Sequence, residues 1–134
     1  ITRDTTLILD VNGNVKLTPD MIDGGTFDNC SFTLFTIPSS FTCNDLGPNT
    51  VLVIASDPAS NVVFSSAVVN ILDTISPTIT APPAMQVLAD TACGAVISNL
   101  GTPTTADNCT VTSISNDAPA KFNIGLTTVT WTAS

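Results

Sequence analysis

Four cysteines and eleven aspartates are the residues of this 134-residue chain whose side chains could do chemistry. Cys30 and Cys43 lie 13 positions apart, and Cys93 and Cys109 lie 16 apart. Neither pair has the CxxC spacing of a structural zinc site, and no histidine accompanies them. Disulfide chemistry is the expected use. Pairing Cys30 with Cys43 and Cys93 with Cys109 keeps each bridge inside one half of the chain. Each bridge would then contribute roughly 3 kcal/mol by restricting the unfolded state. Disulfides persist in oxidising compartments, so an extracellular location is expected.

Asp supplies every acidic residue, against only Arg3, Lys16 and Lys121, and the chain has no His, Glu or Tyr. The usual general acids, bases and nucleophile partners are therefore scarce, and no catalytic residue is expected. A formal net charge of −8 repels phosphate backbones and anionic lipid, which argues against nucleic-acid binding. No apolar run approaches the ~20 residues that cross a bilayer, so membrane insertion is not expected. Lys16 and Lys121 could form an isopeptide crosslink to Asn only beside a buried acidic catalyst, and such a crosslink is not expected.

The carboxylates raise one cofactor, calcium. Asp10-Val11-Asn12-Gly13-Asn14 places oxygen ligands as a calcium loop begins, but Met21 stands where the closing Glu belongs. It reads instead as a polar hairpin turn. A second set, Asp57, Asn61, Asp73, Asp107 and Asn108, offers oxygens from a linker and neighbouring loops, with solvated turn carboxylates as the competing reading. Asp28-Asn29 and Asp107-Asn108 precede cysteines and suit local backbone capping.

The elements that must position these groups are strands. Thr, Ser, Val and Ile dominate, and Pro and Gly punctuate short alternating runs. Thr26-Phe27-Asp28-Asn29-Cys30-Ser31 returns as Thr105-Ala106-Asp107-Asn108-Cys109-Thr110, and Gly47-Pro48-Asn49-Thr50-Val51 returns as Gly125-Leu126-Thr127-Thr128-Val129. A repeat this long suits a small β-sandwich better than a solenoid turn, so two tandem modules are expected, residues 1–73 and 74–134. The first should open with a Thr6–Asp10 and Asn14–Leu17 hairpin around a type I′ Asn12-Gly13 turn. It should continue through a short helical turn or loop over Pro19–Gly25, ended by its glycines, and strands at Ser31–Ile37, Thr50–Ser56 and Val62–Leu72. The second should place strands at Thr78–Ala81, Met85–Ala89, Ala95–Ser98, Thr110–Ile114 and Thr127–Ala133, with Trp131 facing inward. Ser134 aligns with Ser56, so the second module is expected to lack its closing strand, the gap being filled by a tail or another chain. No signal peptide opens the sequence, which is expected to be a piece of a longer secreted protein.

Ile75-Ser76-Pro77-Thr78-Ile79, Ala92-Cys93-Gly94-Ala95-Val96, Ala106-Asp107-Asn108-Cys109-Thr110-Val111 and Gly125–Ala133 together resemble the HYR (hyalin repeat) module. Leu9-Asp10-Val11-Asn12-Gly13, Ile22-Asp23-Gly24, Asp28-Asn29-Cys30 and Phe41–Gly47 resemble repeats of giant Bacteroidota surface proteins, of the kind found in SprB-like gliding-motility adhesins. The resemblance implies an all-β fold of two tandem immunoglobulin-like sandwiches and a structural, adhesive role on a bacterial cell surface. Neighbouring repeats would be its direct partners, with surface polysaccharide or substratum engaged through other regions. It also implies O-glycan acceptors at Thr5, Thr74 and Thr91 in Asp-Thr-x contexts, for which chance is the competing explanation. The alternative role is an accessory polysaccharide-binding module of a secreted multidomain enzyme.

Overall fold

In a computed structural model, residues 2–134 are described, and they form an all-β chain with only two short 3-10 turns. The chain divides into two compact units, the second beginning at Ser76.

The first unit contains β1 (Thr5–Ile8), β2 (Asn14–Lys16), β3 (Thr33–Ile37), β4 (Ser40–Thr42), β5 (Gly47–Ser56) and β6 (Val62–Leu72). A four-stranded sheet runs in the order β1-β6-β5-β3, and β2 pairs with β4 separately. β1 is parallel to β6, in the register Thr5 with Val69 to Ile8 with Leu72. β5 is antiparallel to both β3 and β6. Strand side chains alternate between faces, so Val51 and Val53 of β5 and Ala67, Val69 and Ile71 of β6 all point inward and are buried. Leu9, Leu17, Ile22 and Phe41 complete this core. The 3-10 turn Pro19–Met21 delivers Ile22 to it, and the second, Cys43–Asp45, is closed by a capping box between Thr42 and Asp45.

Two expectations for this unit are corrected. β1 and β2 do not form a hairpin: Leu9 N–H donates to Leu72 O at 2.9 Å, extending the β1–β6 ladder, and the chain then crosses to pair Val15 with Phe41. The turn between them is not type I′, because Gly13 takes a positive φ (71°) and Asn12 does not. In β3 the inward positions are Leu34 and the buried Thr36, while Phe35 and Ile37 face outward.

The second unit holds β7 (Thr78–Thr80), β8 (Gly94–Ala95), β9 (Thr104–Ala106), β10 (Ile114–Asn116), β11 (Phe122–Asn123) and β12 (Trp131–Ala133). They make three antiparallel pairs, β7–β9, β8–β11 and β10–β12. The β8–β11 pair is close enough that a Cβ on Gly94 would lie 2.8 Å from Phe122 O and would also strike the Lys121 side chain, so only glycine fits there. Met85–Ala89, expected as a strand, is irregular, because no neighbouring strand among the described residues accepts its backbone hydrogen bonds. The strand expected at Thr110–Ile114 lies instead at Ile114–Asn116.

The pairings repeat between units. The β2–β4 pair, with Val15 opposite Phe41, is matched by β8–β11, with Ala95 opposite Phe122. The β3–β5 pair is matched by β10–β12, and the Thr2–Asp23 bridge by β7–β9.

Candidate functional site

Three aspartates that look unrelated in the sequence build the same turn. Asp10 N–H donates to Asn14 O, Gly13 N–H to Asp10 O, and Asp10 Oδ1 accepts from the N–H groups of Asn12 (2.9 Å) and Asn14 (3.0 Å). At Asp90 the set recurs: Asp90 N–H donates to Gly94 O, Cys93 N–H to Asp90 O, and Asp90 Oδ1 accepts from Ala92 (2.8 Å) and Gly94 (3.2 Å). At Asp57 the N–H donates to Asn61 O, Ser60 N–H donates to Asp57 O, and Oδ1 accepts from Asn61 N–H at 2.8 Å. Each turn puts its fourth residue in the left-handed region, Gly13 at φ 71°, Ser60 at 67° and Cys93 at 57°. That is a type I turn followed by a left-handed bulge residue. A left-handed Ser or Cys costs about 1 kcal/mol relative to glycine, which the charge-assisted bonds to the carboxylate offset.

These turns explain what the aspartates do. The Asp10 segment, with its calcium-like spacing, aims Oδ1 at its own backbone. Asp57 and Asn61, two of the suggested calcium ligands, bind each other, since Asn61 Nδ2 also donates to Asp57 Oδ2 at 2.7 Å. Asp73 Oδ1 accepts from Ile75 N–H and Asp107 Oδ1 from Asn108 N–H. No group of three or more Cys, Asp, Glu or His that could hold a metal is found among the described residues. Thr91 sits exposed in the Asp90 turn and Thr74 is also exposed, whereas Thr5 is half-buried in β1.

Three carboxyls are held below the ordinary carboxylate pKa of 3.8. For Asp57 the main cause is the Asn61 side chain, for Asp23 the hydroxyl of Thr26 (2.6 Å), and for Asp117 the backbone N–H of Thr130 (2.6 Å). A depressed folded-state pKa stabilises fully above the unfolded value and is lost as pH falls through the folded one. The melting temperature should therefore hold steady from pH 7 to about 5 and decline below about 4. Asp57→Asn should be less stable than wild type at pH 7, the difference closing near pH 2. A gap that stays constant across this range would contradict the assignment.

The cysteines differ from expectation. Cys43 and Cys109 are disulfide-bonded, while Cys30 and Cys93 are free, exposed thiols. The pairs Cys30–Cys43 and Cys93–Cys109 do not form. Spacing along the chain does not set spatial separation, and a bridge needs Cα atoms about 4.4–6.8 Å apart. Cys30 lies in the bend before β3, whereas Cys43 opens the 3-10 turn after β4 with its sulfur 3.8 Å from Gly13 O. Cys93 is held in the left-handed position of the Asp90 turn.

Two apolar features remain. In the first unit β3, β5 and β6 carry Phe35, Ile54 and Phe64 side by side on the outer face, with Phe35 52% and Phe64 62% exposed. In the second unit a cavity of about 520 Å³ is lined by Met85, Leu88, Phe122, Leu126, Val129 and Trp131 among others. Trp131, expected in the core, is half-buried at its wall. No helix among the described residues is long and apolar enough to cross a membrane. No family model, curated protein or solved structure matches the chain.

Proposed function

We propose that this chain is a non-catalytic piece of a tandem array, two immunoglobulin-like modules that act as load-bearing spacers in an extracellular adhesive protein of a bacterial surface. The observation that carries this reading is that β1 and β6, the first and last strands of the first unit, are parallel neighbours. Tension entering at one end of the unit and leaving at the other pulls β1 and β6 past each other. Their hydrogen bonds are then loaded together in shear instead of opening one at a time. The recurrence of pairings and turns in both units further supports an array. The β3-β5-β6 order with a separate β2–β4 pair matches the C-F-G and B-E arrangement of an immunoglobulin-like sandwich. Cys43 and Cys109, being disulfide-bonded, fit an oxidising compartment.

Single-molecule stretching of concatenated first units tests this. Each unit should unfold in a discrete, repeated step, and deletion of residues 2–8 should sharply lower the force required. Equal forces with and without those residues would refute the load-bearing role.

A second reading, polysaccharide binding, is favoured by the exposed Phe35 and Phe64 that flank Ile54, since exposed aromatics can stack on sugar rings. Saturable glycan binding abolished by Phe64→Ser would establish it in place of a pure spacer.

A further inference from the structure

The second unit contains a place for a strand that residues 76–134 do not fill. In the first unit β5 is paired on both edges, with β3 on one side and β6 on the other, and β6 in turn pairs with β1. In the second unit β12 takes the part of β5 and pairs with β10, the counterpart of β3, on one edge. Among the described residues its other edge has no partner strand. The position of β1, between the first short pairing and the Asp turn, is taken by residues 81–89, which form no ladder. The apolar cavity lies between these two segments, walled by Met85, Val87 and Leu88 on one side and Leu126, Val129 and Trp131 on the other. In the first unit the matching space holds the inward side chains of β6, and Val69 and Ile71 are fully buried there. The walls of the unfilled space are exposed: Met85 44%, Val87 53%, Leu88 94% and Leu126 98%.

We infer that this slot receives one extended β-strand of the β6 type, antiparallel to β12 and alongside residues 83–88. Its occupant is an uncharged segment about as long as the 11-residue β6, with alternate positions apolar as in Ala67, Val69 and Ile71. Backbone hydrogen bonds to the free edge of β12 supply attraction, and the alternating apolar side chains fill the cavity. An antiparallel neighbour of β12 needs only a short connection, as β5 passes to β6 through the Asp57–Asn61 turn. A small ligand would satisfy the cavity but not the strand edge. This inference stands on the internal correspondence of the units and holds whether or not the chain is a spacer.

The test fuses a second copy of Asp57–Leu72 after Ser134 of the full chain. Trp131 is the sole tryptophan and lines the slot, so its emission reports occupancy directly. The fused strand should shift that emission to the blue and slow amide exchange across residues 126–133 by at least about tenfold. The same fusion with Val69→Ser and Ile71→Ser made in the copy should do neither. A free peptide of the Asp57–Leu72 sequence should reproduce the emission shift saturably. Unchanged emission and exchange in the fused chain would overturn the inference, as would equal effects from the serine-substituted copy. So would an unextended chain already dimeric with the β12 edge protected, or an apolar dye that binds the slot equally before and after fusion.

Discussion

Phe41→Ala is expected to unfold most of the first unit at temperatures where the parent chain is intact. Phe41 is 1% exposed, the largest of the fully buried side chains, and is held on β4 opposite Val15. Removing a buried aromatic ring costs about 3–5 kcal/mol, because lost transfer energy adds to the cavity left behind. A module of this size has a total stability of about 4–11 kcal/mol, so the loss takes a large share of it. The melting temperature of the first unit should drop by about 15 °C or more. Phe122, which takes the same place in the second unit, is only half-buried, and Phe122→Ala should cost less than half as much. Circular dichroism in urea, followed beside Trp131 emission as a probe of the second unit alone, separates the two. Equal losses from both substitutions would mean that the cores are equally closed.

Thiol accessibility should give an equally clear result. Alkylation of the folded chain without reductant should add two groups, at Cys30 and Cys93, and alkylation after reduction should add four. Bridges within each module would instead give no addition before reduction. The outcome is counted by intact mass and located by peptide mapping. Oxidised Cys30 or Cys93 in the freshly isolated chain would contradict the arrangement.

Much of this protein was legible from local patterns. Val62–Leu72 and Thr50–Ser56 read as strands because alternating β-branched residues have one dominant solution, and the burial of Val51 and Val53 follows that period. The helical turn at Pro19–Met21 was equally local, since Pro and Asp suit a first turn and Gly ends one. The internal repeat was visible where residue identities survived, at Asp28-Asn29-Cys30 and Asp107-Asn108-Cys109.

The candidate site was much less legible. Asp10, Asp57 and Asp90 suggested a polar hairpin turn with calcium-like spacing, a candidate calcium ligand and a glycan-acceptor context, yet they build one turn three times. The signal was present, an Asp followed at the third position by Gly, Ser or Cys and at the fourth by Asn or Gly. It is weak as a pattern because it lives in backbone geometry and not in side-chain identity.

Composition and periodicity by themselves determined an all-β chain poor in catalytic groups, because strand propensity and charge are sums over neighbouring residues. Only the tertiary structure decided that β1 joins β6 in place of β2, that Phe35 and Ile37 turn outward, and which cysteines remain free. Those outcomes depend on which distant segments meet. A strand's period names its two faces without saying which is covered, and cysteine spacing counts residues while a disulfide requires ångströms.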